Sequence, residues 1–151
     1  MNTLSSSTAS PAAIEREMTG EITMGDDGRT LAFLPSPKVQ NHAAYLAFRP
    51  DGTLDCAWFG GTLEGKSDIS IFASALVPDD AGPGRWHDAK QLSDDPNRSE
   101  QNPVLFHAPD GRVLLFHTAQ PGGNQDECVV RMRELSAAPG RPLRSAGACR
   151  T

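Results

Sequence analysis

Pro50-Asp51-Gly52 returns as Pro109-Asp110-Gly111, and at that fixed offset the alignment around the two copies needs no gap. Leu46 meets Leu105, Leu54 meets Val113, Asp68 meets Glu127, Ile71 meets Val130 and Leu76 meets Leu135. Pro-Asp-Gly is turn chemistry, because proline presets one backbone angle and glycine supplies a positive one. Apolar runs flank both turns, so each copy reads as strands folded back across a hairpin. A turn-rich unit that recurs from position 50 to position 109 has the period of a β-propeller blade with a modest insertion. Two blades cannot close a ring, which bounds what one chain does alone.

Outward from the first turn, residues 43–48 and 54–60 read as strands. Residues 68–76 alternate Ile69, Ile71, Ala73 and Ala75 against Ser70, Phe72 and Ser74, the period of two of a strand. Residues 86–92 form the short outer strand of this unit. The second unit predicts strands over 103–107, 113–118 and 127–135. Ahead of both, 21–24 and 30–34 form a hairpin about the Asp-Asp-Gly turn, stopped by Pro35 and Pro37. The expected organisation is a disordered Ser/Thr/Ala-rich leader over 1–20, a propeller fragment over 21–135, and a tail over 136–151. That tail has no acidic and no aromatic residue, and begins where a fourth strand is due. It is expected to be disordered or read out of frame, with a genuine flexible tail as the alternative.

Composition narrows the class. Of 151 residues 38% are hydrophobic, and 14 Gly with 12 Pro favour an all-β, turn-rich fold over a helical one. The net charge is −5, with all 19 acidic residues before residue 136, which argues against nucleic acid as partner. No apolar stretch approaches the roughly 20 residues that span a bilayer, so no membrane partner is expected. The N-terminus has no basic flank followed by an apolar core, so a cytoplasmic location is expected. Cys56, Cys128 and Cys149 are an odd number without metal spacing and read as reduced thiols. His87, His107 and His117 show no metal-ligand pattern either, so neither metal nor cofactor is expected.

Residues 41–135 resemble the sialidase (neuraminidase) superfamily in its bacterial-neuraminidase-repeat-like branch. The resemblance rests on Asn41-His42-Ala43-Ala44, Gly52-Thr53-Leu54, Ala57-Trp58-Phe59-Gly60-Gly61-Thr62, and Glu64-Gly65 with Asp68-Ile69. Gln101-Asn102-Pro103-Val104-Leu105-Phe106 and Asp110-Gly111-Arg112 continue it, and Gly84-Arg85-Trp86 looks like the last remnant of an Asp-box. It implies a six-bladed propeller, of which this chain supplies about two four-stranded antiparallel blades. It also implies removal of terminal sialic acid from glycans by a tyrosine nucleophile, an Asp acid/base catalyst and three arginines that clamp the substrate carboxylate.

Carried onto this chain, Asp68 falls where the acid/base Asp is expected, with Glu64 supporting it on the same stretch. Strand capping or the satisfying of a loop amide is the alternative for Asp68, and a solvated loop charge for Glu64. The first clamp arginine has no counterpart, because His42 stands in its place. A neutral imidazole cannot grip a carboxylate bidentately, which leaves open another acidic or a neutral sugar. His42 is the candidate for substrate contact or proton transfer, against a structural histidine. Trp58 and Phe59 face opposite sides of one strand, so Trp58 offers either a stacking face to a sugar or core packing. Arg98 is a candidate clamp residue or a solvated charge. Asn102, extended because it precedes Pro103, directs its amide toward the channel.

The expected function is a sialidase-like glycoside hydrolase of exo-α-sialidase type, with a glycan or small sugar as partner, inactive as this fragment. The alternatives are a non-catalytic carbohydrate-binding propeller and a polysaccharide lyase with His42 as base.

Overall fold

The computed structural model describes residues 18–79, 82 and 84–147. Apart from Met18 to Gly20, the expected leader lies outside them. Ten strands are described and no helix. A short hairpin, β1 (Thr23–Met24) and β2 (Thr30–Leu31), precedes the two repeat units. The first unit is the sheet β3 (Gln40–Phe48), β4 (Leu54–Gly61), β5 (Ser70–Leu76) and β6 (Lys90–Gln91). The second is β7 (Arg98–His107), β8 (Val113–Pro121), β9 (Val129–Ser136) and β10 (Arg144–Ser145). Both are antiparallel meanders in which each strand pairs with the next, the construction of a propeller blade.

The repeat extends to single hydrogen bonds. In the first turn the amide of Arg49 donates to the Thr53 carbonyl and that of Gly52 to the Arg49 carbonyl. In the second, Ala108 donates to Arg112 and Gly111 to Ala108, the same bonds at the repeat offset. Gly52 and Gly111 carry φ of 83° and 87°, which only glycine adopts without strain. Pairing registers match as well: His42 faces Phe59 as Gln101 faces Thr118, and Leu54 faces Leu76 as Val113 faces Leu135. Each first strand breaks register at the same point, between His42 and Tyr45 and between Gln101 and Val104. The first residue inside each break, Ala43 and Asn102, has a left-handed φ of 50° and 53°.

One face of the first blade packs on one face of the second. Ala57, Phe59, Ile71 and Ala73 meet Leu105, Val113, Leu115 and Leu135, with Ile69, Leu92 and Leu143 completing the core. Burying each large aliphatic or aromatic side chain there contributes about 1.5–3 kcal/mol. The other face of the first blade holds Cys56, Trp58, Phe72 and Trp86, covered in part by Ala32 and Leu34. Trp86 is pinned there by its amide, which donates to the Gly20 carbonyl.

The change of composition at Ser136 is not the end of ordered structure. β10 supplies the fourth strand of the second blade, and Leu143 is fully buried in the shared core. The loop before β10 is gripped by Arg49, whose Nη1 donates to the carbonyls of Ala138 (3.2 Å) and Arg141 (2.8 Å). The same guanidinium pairs bidentately with buried Asp55, both contacts at 2.6 Å. Burial raises the Asp55 carboxyl above its usual range, and the Arg49 hydrogen bonds oppose that rise.

Candidate functional site

Antiparallel pairing places the start of β3, the β4–β5 connection and the start of β7 at one end of the blade pair. His42, Glu64, Asp68, Arg98 and Asn102 all stand there. The β4–β5 and β8–β9 connections also meet at this end, where the Gly123 amide donates to the Gly65 carbonyl at 2.8 Å.

Asp68 is half-buried at the base of the β4–β5 connection, and its Oδ2 accepts from the Thr62 amide at 2.9 Å. Its Oδ1 is buried with no hydrogen-bond partner among the described residues. Burial opposes ionisation of Asp68, but the Thr62 hydrogen bonds and the charge of Lys38 outweigh it and hold the carboxyl below its ordinary value. The resting group is therefore a carboxylate, an acceptor and a base. Lys38 lies 5.9 Å over the Phe72 ring and was not visible as part of this site in the sequence. It is far from Asp68 along the chain, and only the β3–β4–β5 pairing brings the two near.

Gly60-Gly61 makes this crowding possible. A Cβ on Gly60 would meet Asn41 Oδ1 at 2.7 Å, and one on Gly61 would meet the Ile69 side chain at 2.7 Å and the Asp68 carbonyl at 3.0 Å. The glycine pair thus allows both neighbours of β4 to close on it. Glu64 is exposed, and its backbone amide donates to Gln40 Oε1 at 3.2 Å. His42 is exposed and stacks on Phe59, centroids 5.4 Å apart at 17°.

Three expectations need correction. Trp58 is 4% exposed, and its indole N–H donates to Asn41 Oδ1 at 3.0 Å, so it is packed rather than presented as a stacking platform. Asn41 is the hub of that corner, since it also accepts from Ser36 and donates to the Lys38 carbonyl. Asn102 is left-handed, not extended: asparagine tolerates that region, and the strand break requires it. Its amide is turned to Thr118 Oγ1 at 3.3 Å. Arg98 is half-buried rather than a fully solvated loop charge, and its Nη1 donates to the carbonyls of Ala119 (3.1 Å) and Glu127 (3.5 Å).

A second charged group, unseen in the sequence, lies between the blades near the same end. Glu100 is fully buried and accepts from Arg131 Nη1 at 3.3 Å and from the Asp95 amide at 3.1 Å. Arg131 also pairs with Asp95 at 2.8 Å. His117 Nδ1 stands 3.8 Å from Glu100. Burial pushes the His117 imidazole below its ordinary value, against the upward pull of Glu100. These residues join the β6–β7 connection to the second blade, alongside a backbone bond from Glu100 to the Ile69 carbonyl of the first.

Comparison with known protein families matches residues 52–148, more than half of the chain, to the BNR repeat-like domain. No curated protein and no solved structure matches the chain.

Proposed function

The chain belongs to the BNR repeat-like family, part of the sialidase superfamily, and from that premise we propose that its two blades serve a propeller that hydrolyses terminal sugars of glycans in the exo-α-sialidase manner. The observation that supports this reading most is Asp68: one carboxylate oxygen is held by a backbone N–H and the other has no hydrogen-bond partner among the described residues, on the β4–β5 connection that also carries Glu64. In this reading Asp68 exchanges the proton of the glycosidic oxygen. A sugar closing over it expels water, which raises the carboxyl toward the range where proton donation is effective. Glu64 assists Asp68 from the same connection, and His42 contacts the sugar with its ring stacked on Phe59.

The second reading is a carbohydrate-binding propeller without turnover. It is favoured by the lowered pKa of Asp68, since a carboxylate held ionised is a good acceptor for sugar hydroxyls.

The test compares wild type with Asp68→Asn, each as part of a closed propeller, on two sialosides, one with an activated aryl leaving group and one with an alkyl leaving group. An acid catalyst contributes about 10²- to 10⁴-fold, and mostly where the leaving group is poor. The hydrolase reading predicts a loss of that order on the alkyl sialoside and a much smaller one on the aryl sialoside. Equal rates for wild type and variant on both would remove Asp68 from the chemistry. Sugar binding that weakens in the variant, with no turnover of either substrate by wild type, would establish the second reading instead.

A further inference from the structure

The two blades share one interface, and the repeat shows what the same interface would need at each end of the chain. Shifted forward by one repeat, the first-blade residues that pack on the second blade become Phe116, Thr118, Val130 and Met132. They stand together on the outer face of the second blade, through the pairs Phe116–Met132 and Thr118–Val130, with Val104 and Phe106 beside them on β7. Val130 is 65% exposed there, whereas its counterpart Ile71 is fully buried. The reverse shift takes Leu105 and His107 to Leu46 and Phe48 on the first blade. Leu46 is 58% exposed and Phe48 70%, whereas Leu105 is 3% exposed. Among the described residues, Ala32 and Leu34 of the N-terminal segment cover that face around Trp58, Phe72 and Trp86 and leave Leu46 and Phe48 open.

We propose that the outer face of the second blade, around Phe106, Phe116 and Val130, docks on the Leu46–Phe48 face of another copy of this chain, repeating the contact between its own two blades. The occupant is a second copy because the two faces are repeat equivalents of the halves of an interface already formed within the chain. A contact between two different patches is heterologous, and it generates a closed ring when the rotation per copy divides the circle. Propellers close with about four to eight blades, so two-blade chains close as two, three or four copies. Six blades take three copies. The inference concerns assembly, and it stands whether the sugar site turns over or only binds.

The experiment measures the mass of the 16.1 kDa chain by light scattering and sedimentation over a wide concentration range. A discrete species of two, three or four copies is expected. Phe48→Glu breaks one face and Val130→Glu the other; both positions are exposed in the single chain, so each variant keeps its β-rich circular dichroism. Each variant alone is expected to be monomeric, and an equimolar mixture to form a one-to-one pair through the one intact combination of faces. A wild type that is monomeric at every concentration, as it would be if residues 1–17 or another partner cover these faces, overturns the proposal. So does an oligomer that both variants leave unchanged, or a mixture that stays monomeric.

Discussion

The first blade and the second have the same backbone and different interiors. Turn hydrogen bonds, strand registers and the left-handed break in the first strand recur at the fixed offset. Many side chains at equivalent positions do not. Trp58 and Phe72, covered by the N-terminal segment, correspond to His117 and Arg131, which surround buried Glu100. Ile69 is fully buried, while its counterpart Cys128 is exposed. The repeat therefore specifies where the chain turns, breaks and pairs, and leaves each blade free to meet a different neighbour. What makes a blade is carried by glycines, turn acids and strand period; what covers its faces differs from one blade to the next.

The strongest way to break that comparison is at Arg49, whose position in the second blade is held by Ala108. Arg49→Ala leaves Asp55 buried and unpaired, and removes both hydrogen bonds to the β9–β10 loop. Loss of one partner of a buried pair costs about 3–5 kcal/mol, read as a fall in the urea midpoint. Arg112→Ala, which removes the exposed pair with Asp110 in the second turn, is expected to cost under about 1 kcal/mol.

Cys56 and Cys128 probe burial at non-equivalent places. Burial, together with the charge of Asp55, pushes the Cys56 thiol up to about 11. At pH 8, with Cys149 replaced by Ser, a thiol reagent should label exposed Cys128 at least about a hundredfold faster than Cys56, in line with the missing thiolate. Comparable rates would mean that the Trp58 face opens readily. The smallest effect is expected at the strand breaks. Ala43→Gly relieves a left-handed alanine and should stabilise by about 0.5–1 kcal/mol. Asn102→Gly should not stabilise, because asparagine tolerates that conformation and bonds Thr118.

The turns and most strands were legible because they rest on local chemistry: Pro-Asp-Gly, alternation of apolar residues, and a fixed period. The start of β7 was not, since Arg98 to Asn102 is polar and reads as loop, although Ser99, Glu100 and Gln101 are buried between strands and blades. The fourth strand of the second blade was hidden by its Ala-Gly-Pro-Arg composition. Only the grip of Arg49 and the burial of Leu143 make it part of the core. Of the site, Asp68, Glu64 and His42 were placed at one end by the order of turns and strands. Lys38 was not, because its nearness to Asp68 depends on register, which no local pattern encodes. Trp58 was left between packing and stacking, and Asn102 was misjudged, for the same reason: their conformations are set by Asn41 and by the strand break, both properties of the assembled sheet.

Arg49 also sets an order of events. Its carboxylate partner is 6 residues away, while the carbonyls it grips are 89 and 92 residues further on. During synthesis the near contact is available as soon as the first hairpin emerges, and the far ones only after Arg141 has left the ribosome. Long-range closures of this kind form late and slow the final step of folding. The first blade therefore waits, with a charged hand extended, for the last loop of the second to complete it.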